Sequence, residues 1–221
     1  MFPEETYIAF FDVDHTIIRI NSGKILVREA RRKGLIPGRY FLLAIYFSLL
    51  IRIHLADPRK VMARMARWVK GLSGENMTKL SDEIVELFLI PAIYSQIIAE
   101  IHFHKEQKAR VVILSSAIRN ICVPLAKHLG FDDVICSELE IREGAFTGRF
   151  AGNVCYAEEK VNRLRHYCEE MNLSPSSSYY YGDSISDFQV LNSVGHPICV
   201  NPDKKLAGKA RPKQWRICHW L

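Results

Sequence analysis

The alternation of short apolar runs with helical patterns most constrains what this chain can fold into. From residue 105 onward, short apolar runs are separated by segments in which apolar residues recur at helical spacing. The predicted strands are Tyr7–Val13, Ala109–Leu114, Asp133–Cys136, Ser178–Tyr181 and Pro197–Val200. Strands that are apolar on both faces and joined by helices favour a parallel sheet covered on both sides. The sequence therefore predicts an α/β fold.

The region between residues 18 and 104 interrupts this alternation, because it contains no convincing strand. Its patterns predict helices over 22–33, 38–55, 58–70 and 76–103, whereas the later region predicts helices over 120–129, 158–171 and 187–194 and a glycine-rich hairpin over 140–156. We therefore expect a Rossmannoid, three-layer α/β core with a parallel sheet, formed by residues 1–17 and 105–221. An all-helical cap domain, residues 18–104, is inserted after the first strand.

Polar side chains follow three of the predicted strands. They are Asp12 and Asp14 after the first strand, Ser115 and Ser116 after the second, and Asp183 and Asp187 after the fourth, with Lys160 at the start of a helix near the same face. Ligands of open α/β sheets lie beyond the carboxyl ends of the strands. We therefore expect these side chains to share one edge of the sheet.

The residue types at this edge suit phosphate chemistry. Residues two apart on a strand point to the same side, so Asp12 and Asp14 can address one small volume. Clustered carboxylates need a hard cation such as Mg²⁺, which prefers oxygen ligands. One carboxylate can attack phosphorus while the second protonates the leaving alcohol and then activates water. Ser115 and Lys160 can hold and neutralise the phosphoryl oxygens.

Four motifs in order resemble those of the haloacid dehalogenase superfamily. "DVDHT" resembles its first motif, Asp-x-Asp-x-Thr, "ILSSA" its second, Lys160 its third and "GDSISD" its fourth. The helical insertion after the first motif is similar to a C1 cap. The stretches "TGRFAGNVCYAEEKVNRL" and "YYYGDSISDFQVLNSVGHPICVNPD" resemble the phosphoserine-phosphatase-like branch, subfamily IB. The resemblance spans nearly the whole chain and is weak within the cap.

The resemblance implies a role for each matching residue. Asp12 is implied to be the nucleophile and a metal ligand, and Asp14 to be the general acid and base that also gives its backbone carbonyl to the metal. Ser115 and Lys160 are implied to bind phosphate, with Ser116 a weaker candidate than Ser115. Asp183 is implied to be a metal ligand, and Asp187 a carboxylate at or behind the metal. The implied cofactor is Mg²⁺.

Two positions depart from the family pattern. His15 stands where glycine is commoner, and the segment Ile20–Gly23 lacks the acid with which phosphoserine phosphatases hold the ammonium group of their substrate. The sequence therefore does not favour phosphoserine itself as the substrate.

Charge is unevenly distributed along the chain. The net charge is +6, but residues 18–70 hold thirteen Lys and Arg against two acids, so this segment carries +11 and the remainder −5. A basic segment on an acidic body suggests an anionic partner. Arg64 and Arg67, three residues apart in a predicted helix, are candidate substrate ligands, although solvated surface cations are the simpler explanation of such residues.

The run Tyr40–Ile51 holds twelve uncharged residues between two arginines. A membrane-spanning helix needs about 20 apolar residues, so this run is too short to cross a bilayer. The sequence favours a buried cap helix, with an interfacial helix on an anionic membrane surface as the alternative.

The predicted function is hydrolysis of a small phosphate monoester with Mg²⁺ through a phospho-aspartate on Asp12. Three alternatives stay open: action on a lipid phosphate at a membrane surface, phosphoryl transfer to an acceptor other than water, and phosphate binding without turnover. The acidic N-terminus and the six scattered cysteines predict a cytoplasmic protein with reduced thiols, with peripheral membrane attachment as the alternative location. No recognised nucleic-acid-binding module is present, so no nucleic-acid partner is expected.

Overall fold

The core of the molecule is a parallel β-sheet. The computed structural model describes residues 6–52 and 56–221. The strands of the sheet are β1 (Ile8–Phe11), β2 (Arg110–Ile118), β3 (Asp133–Ser137), β6 (Tyr179–Gly182), β7 (His196–Val200) and β8 (Arg216–Cys218). They lie in the order β3-β2-β1-β6-β7-β8, and every neighbouring pair is parallel. The α/β prediction is confirmed, while β8 has no counterpart among the predicted strands.

Helices cover both faces of this sheet because the strands are apolar on both sides. Phe11 of β1 packs in one apolar cluster with residues of α5 (Ser95–Glu106) and α6 (Arg119–Leu129). Phe10, its neighbour, packs in a second cluster with residues of α7 (Glu158–Glu170), α8 (Phe188–Leu191) and α9 (Lys204–Ala210). Successive residues of a strand point to opposite faces, so β1 contributes to both layers.

The segment between β1 and β2 is helical, as predicted. Its α-helices are α1 (Ser22–Arg32), α2 (Gly38–Arg52), α3 (Pro58–Met65), α4 (Gly74–Ile84) and α5. The end of the predicted helix 38–55 lies outside the described residues. The domain boundaries at 17/18 and 104/105 stay predictions.

The predicted single helix over 76–103 is wrong. The chain instead forms α4, a π-helical turn over Val85–Leu89, a 3₁₀ turn over Ile90–Ala92 and then α5. Pro91 has no backbone N–H to donate, and in a continued α-helix its ring would clash with the preceding turn. The α-helix therefore does not continue through this position. The break turns α5 back toward the sheet, where it packs against β2.

A network of hydrogen bonds joins α5 to the sheet. The two ring nitrogens of the buried His104 lie 3.0 Å from the Tyr7 hydroxyl and 2.8 Å from the Tyr181 hydroxyl. The Tyr181 hydroxyl donates to Glu100 at 2.5 Å, and Glu100 also pairs with Arg216. Burial, assisted by the charge of Arg216, lowers the pKa of His104 to about 4. The ring is therefore neutral at pH 7.

The predicted hairpin is present and contacts the inserted helices. It consists of β4 (Leu139–Arg142) and β5 (Ala145–Phe150), paired antiparallel. Phe146 exchanges backbone hydrogen bonds with the inserted segment: its N–H donates to Leu72 and its carbonyl accepts from Gly71, both at 2.9 Å. Gly148 has a φ of +81°, and a Cβ there would lie 3.2 Å from the Cα of Arg67. The left-handed backbone and the close approach both favour glycine at this position.

The outer face of α2 contradicts the prediction of a buried helix. Leu42, Ile45, Tyr46 and Leu49 are all more than half exposed. No helix within the described ranges is long and apolar enough to cross a membrane.

Candidate active site

The candidate site lies where the strand order reverses direction. The chain leaves β1 toward β2 on one side of the sheet, and the later strands add on the other side from β6 outward. The loops that follow β1 and β6 therefore diverge and leave a crevice, which is where ligands of such sheets bind. Asp12 follows β1, and its backbone N–H donates to the Tyr181 carbonyl of β6 at 3.0 Å. Asp183 and Asp187 follow β6.

Three carboxylates converge in this crevice. One side-chain oxygen from each of Asp12, Asp183 and Asp187 lies within 4.8 Å of the others. Lys160, in the first turn of α7, extends its ammonium group into the cluster, 2.9 Å from Asp12 Oδ1 and 2.7 Å from Asp187 Oδ1. Asp12, Asp187 and Lys160 are all buried. The structure thus brings together residues that are up to 175 positions apart in the sequence.

Burial and mutual repulsion govern the protonation of this cluster. Burial raises the pKa of Asp12 to about 6, although Lys160 opposes the shift. Burial, and then the charges of Asp187 and Asp12, raise the pKa of Asp183 to about 9. For Lys160, burial lowers the pKa, but the two neighbouring carboxylates outweigh it and hold the pKa well above its ordinary value. Lys160 is therefore a fixed positive charge.

The donor set fits a hard divalent cation. A single ammonium faces three carboxylates in the cluster, so negative charge is in excess there. Carboxylate oxygens are the ligands that Mg²⁺ prefers. Asp12, Asp183 and Asp187 could hold such an ion, and Asp187 also orients Lys160.

Asp14 is oriented by the start of the first inserted helix. Its Oδ2 accepts from the Asn21 side chain, and its Oδ1 accepts from the backbone N–H of Ser22, each at 2.8 Å. Asn21 is the N-cap of α1 and also accepts from the N–H of Lys24. Burial raises the pKa of Asp14, and the hydrogen bonds from Ser22 oppose that rise. This carboxyl group is thus held in one orientation, with a pKa above its ordinary value.

Ser115 lies inside β2, which runs further than predicted. Phe11 of β1 is paired with Ile113 of β2. Asp12 lies one residue beyond Phe11, and Ser115 lies two residues beyond Ile113. The pairing of β2 with β3 shifts between Leu114 and Ile118. Ser115 is buried and its Oγ accepts from the N–H of Ala117 at 3.2 Å, which leaves its own proton available to a ligand. Ser116 is half-buried.

His15 adopts a left-handed backbone conformation with φ of 60°. Glycine adopts this conformation without strain, which explains why the family pattern favours glycine at this position. The His15 side chain is exposed.

The two cap arginines lie among the inserted helices and the hairpin. Arg64, in the last turn of α3, stands over the ring of Phe47, with its guanidinium carbon 5.5 Å from the ring centre. Arg67 lies in the 3₁₀ turn that follows α3, and its backbone meets Gly148. Both side chains are exposed. The predicted single helix over 58–70 ends at Met65, so the two arginines do not share one regular α-helical face.

Tyr180 was missed by the sequence reasoning. Its hydroxyl receives a hydrogen bond from Lys160 at 2.8 Å and donates to Asp187 at 3.0 Å, all within the buried cluster. An aromatic residue in an apolar strand is ordinarily interpreted as core, so only its place two residues before Gly182 could have pointed to the site. Thr16, the threonine of the first motif, has a buried hydroxyl without a hydrogen-bond partner within the described residues.

Known proteins resemble this chain in sequence. The family model for haloacid dehalogenase-like hydrolases matches residues 9–192. A probable phosphatase of Mycobacterium tuberculosis is 26% identical over 218 residues, which cover 97% of this chain and 76% of the relative. A histidinol-phosphatase of Neisseria meningitidis serogroup C is 25% identical over 229 residues, which cover 96% of this chain and 98% of the relative.

A solved structure resembles it in fold. The phospho-aspartyl intermediate analogue of a phosphoserine phosphatase superposes with a TM-score of 0.71 at 16% identity, covering 97% of this chain and 93% of that chain. The two proteins therefore share a parallel sheet with helices on both faces.

Proposed function

The chain belongs to the haloacid dehalogenase-like hydrolases and is a phosphatase of that family, and we propose that it hydrolyses a small soluble phosphate monoester through a phospho-aspartate on Asp12. The observation that carries this proposal is the buried Lys160 held between Asp12 and Asp187. A fixed ammonium beside a carboxylate favours binding of a phosphate dianion next to that carboxylate. The phosphoserine phosphatase of similar fold, whose structure is that of a phospho-aspartyl intermediate analogue, supports the same chemistry.

In the first step, an oxygen of Asp12 bonds to phosphorus while the bond from phosphorus to the ester oxygen breaks. The departing oxygen takes the proton of the Asp14 carboxyl group, whose raised pKa suits a proton donor. Ser115 donates a hydrogen bond to the phosphoryl group, and Lys160 neutralises its charge.

In the second step, Asp14 is a carboxylate and accepts a proton from water. The water oxygen attacks phosphorus, inorganic phosphate leaves and the Asp12 carboxylate is restored. The hydrogen bonds from Asn21 and Ser22 keep Asp14 in one orientation through both steps.

Mg²⁺ is the proposed cofactor. Asp12, Asp183 and the backbone carbonyl of Asp14 would hold it, with Asp187 behind them, and when bound it would supply positive charge beside the phosphoryl oxygens. Treatment with EDTA should abolish turnover and added Mg²⁺ should restore it. Calorimetric titration with Mg²⁺ should show binding that Asp183→Asn weakens, and full activity in EDTA would contradict the proposal.

The covalent step is tested by locating the intermediate. After acid quenching during turnover of p-nitrophenyl phosphate, borohydride should reduce the acyl phosphate and leave homoserine at position 12, identified by mass spectrometry. Asp12→Asn should lower turnover at least about thousandfold, since an amide is a poor nucleophile. The exposed Asp82→Asn is the matched control and should retain activity. Homoserine at another position, or near-normal turnover of Asp12→Asn, would refute the assignment.

The substrate is tested with a panel. The Neisseria relative is named a histidinol-phosphatase and matches along nearly its whole length, so histidinol phosphate belongs in it beside phosphoserine, sugar phosphates, nucleotides and lysophosphatidate. We expect a soluble ester to give the highest kcat/KM. Exclusive transfer of phosphate to an added alcohol, without free phosphate, would favour a phosphotransferase instead.

A further inference from the structure

Helix α2 presents an apolar stripe to solvent. Its members are Leu42, Ile45, Tyr46 and Leu49, which are 68%, 52%, 56% and 61% exposed. Their spacing of three and four residues places them along one face of the helix. Four large apolar side chains side by side form a continuous surface, which in a water-exposed helix calls for a partner.

The opposite side of α2 is already occupied. Phe41 packs against the large apolar cluster of the molecule, and α2 contacts both α1 and α3. Phe47 lies beneath the guanidinium group of Arg64. The apolar stripe of α2 is therefore the outer face of a helix that is anchored from behind.

Exposed cations lie on α2 and on α3, which packs against it. Arg39, in the first turn of α2, has its guanidinium over Tyr40, and Arg64 of α3 stands over Phe47. Lys60, also on α3, is exposed. None of these three forms a salt bridge within residues 6–52 and 56–221, in contrast to Arg32 and Lys33, which both pair with Glu83.

We propose that the apolar stripe of α2 docks on an anionic lipid bilayer, with the exposed cations Arg39 and Lys60 attracted to the lipid phosphates. A helix of 15 residues is too short to span a bilayer, but an apolar face flanked by cations suits the boundary between headgroups and acyl chains. A second copy of the chain is the less suitable occupant. In a two-fold pair through the stripe the partner of α2 would be α2 itself, which contains no acidic residue to pair with these cations.

Docking would involve the segment that leads out of the catalytic edge. The chain runs from Asp14 through the Asn21 cap into α1 and then into α2. The docked helix therefore belongs to the same segment as the helix that orients Asp14. The proposal concerns binding alone and does not depend on the phosphatase mechanism.

Vesicle flotation tests the docking without any turnover. The full chain should float with vesicles of phosphatidylglycerol and phosphatidylcholine at low salt, should float less as salt is raised, and should not float with phosphatidylcholine alone. Neutralising one nearby cation, as in Arg39→Gln or Lys60→Gln, should weaken partitioning about fivefold. Lys127→Gln, on α6, is the control and should change nothing.

The apolar contribution is tested with Leu42→Ser combined with Leu49→Ser. Each leucine removed from the lipid should weaken partitioning about tenfold, so the double variant should lose about a hundredfold. Leu87→Ser removes an equally exposed leucine outside α2 and should float like the parent. Thermal unfolding and circular dichroism should show that all variants are folded.

Three results would overturn the proposal. They are absence of flotation with anionic vesicles at low salt, equal flotation of the double serine variant, and a micromolar dimer in sedimentation that the double serine variant dissociates. The last result would assign the stripe to a second copy of the chain.

Discussion

The catalytic edge of the sheet and the basic helices α1 to α3 use charge in opposite ways. At the sheet edge, Lys160 and its carboxylate partners are buried, and the Lys160 ammonium has three defined partners within 3 Å. In the helices the paired cations are themselves exposed, as in the pairs of Arg28 and Arg32 with the buried Glu29 and of Arg59 with Asp57. A buried charge is costly without its partner, whereas an exposed one is solvated by water. Single substitutions should therefore be severe at the edge and mild in the helices.

The largest effect is expected at Lys160. Lys160→Met leaves Asp12 and Asp187 buried without their shared cation, so the free energy of unfolding should fall by about 3–5 kcal/mol. Turnover should fall at least about hundredfold, because the phosphoryl charge loses its counter-ion. Urea unfolding and phosphate release measure the two effects. Lys209→Met, on the exposed face of α9, is the control, and a Lys160→Met variant as stable as the parent would remove the contrast between the two regions.

The next effect concerns His104, a buried group outside the catalytic cluster. The unfolded chain takes up a proton at this position near pH 6.5, whereas the folded protein, in which the pKa is about 4, does not. Stability should therefore be fully present above pH 6.5 and fall by about 3 kcal/mol from this group alone as pH drops toward 4. His104→Gln removes the titration, so the variant should lose less stability than the parent over that window. Equal slopes in urea unfolding between pH 7 and 4 would contradict the assignment.

The smallest effect is expected at the start of α3. Asp57 caps this helix by accepting from the N–H of Arg59 at 2.9 Å, so Asp57→Ala should cost about 1 kcal/mol of stability. Asp57→Asn keeps the cap and should behave like the parent. Neither variant should change kcat for a soluble ester. A tenfold loss of kcat in Asp57→Ala would show that the basic helices act on the chemistry and not only on binding.

The sequence predicts the catalytic edge well because two local rules suffice. Apolar runs predict buried strands, and polar residues that follow parallel strands share one edge, so these rules alone place Asp12 and Asp183 together. The role of Tyr180 escapes these rules. Its hydroxyl reaches Lys160 only because β6 packs against α7 in the folded protein, and no periodic pattern in the sequence reveals that contact.

The inserted helices are predicted less completely for a different reason. Their helical patterns correctly locate α1 and the start of α2, but a pattern alone does not show which apolar face meets the core. The apolar character of Leu42 and Leu49 therefore predicts that they are buried, whereas both are exposed in the structure. The break at Pro91 escapes prediction because the apolar spacing continues across it, so that only the missing N–H of proline marks the turn.

The unequal division of charge between the two regions also makes the molecule electrostatically polar. Residues 18–70 carry +11 and the rest of the chain −5, so the protein has a permanent electric dipole. In the field of a negatively charged object, a dipole experiences a torque before any contact is made, and the basic helices would turn toward that object first. Because this torque is screened over about 8 Å at physiological ionic strength, the orientation is acquired only in the last nanometre of approach.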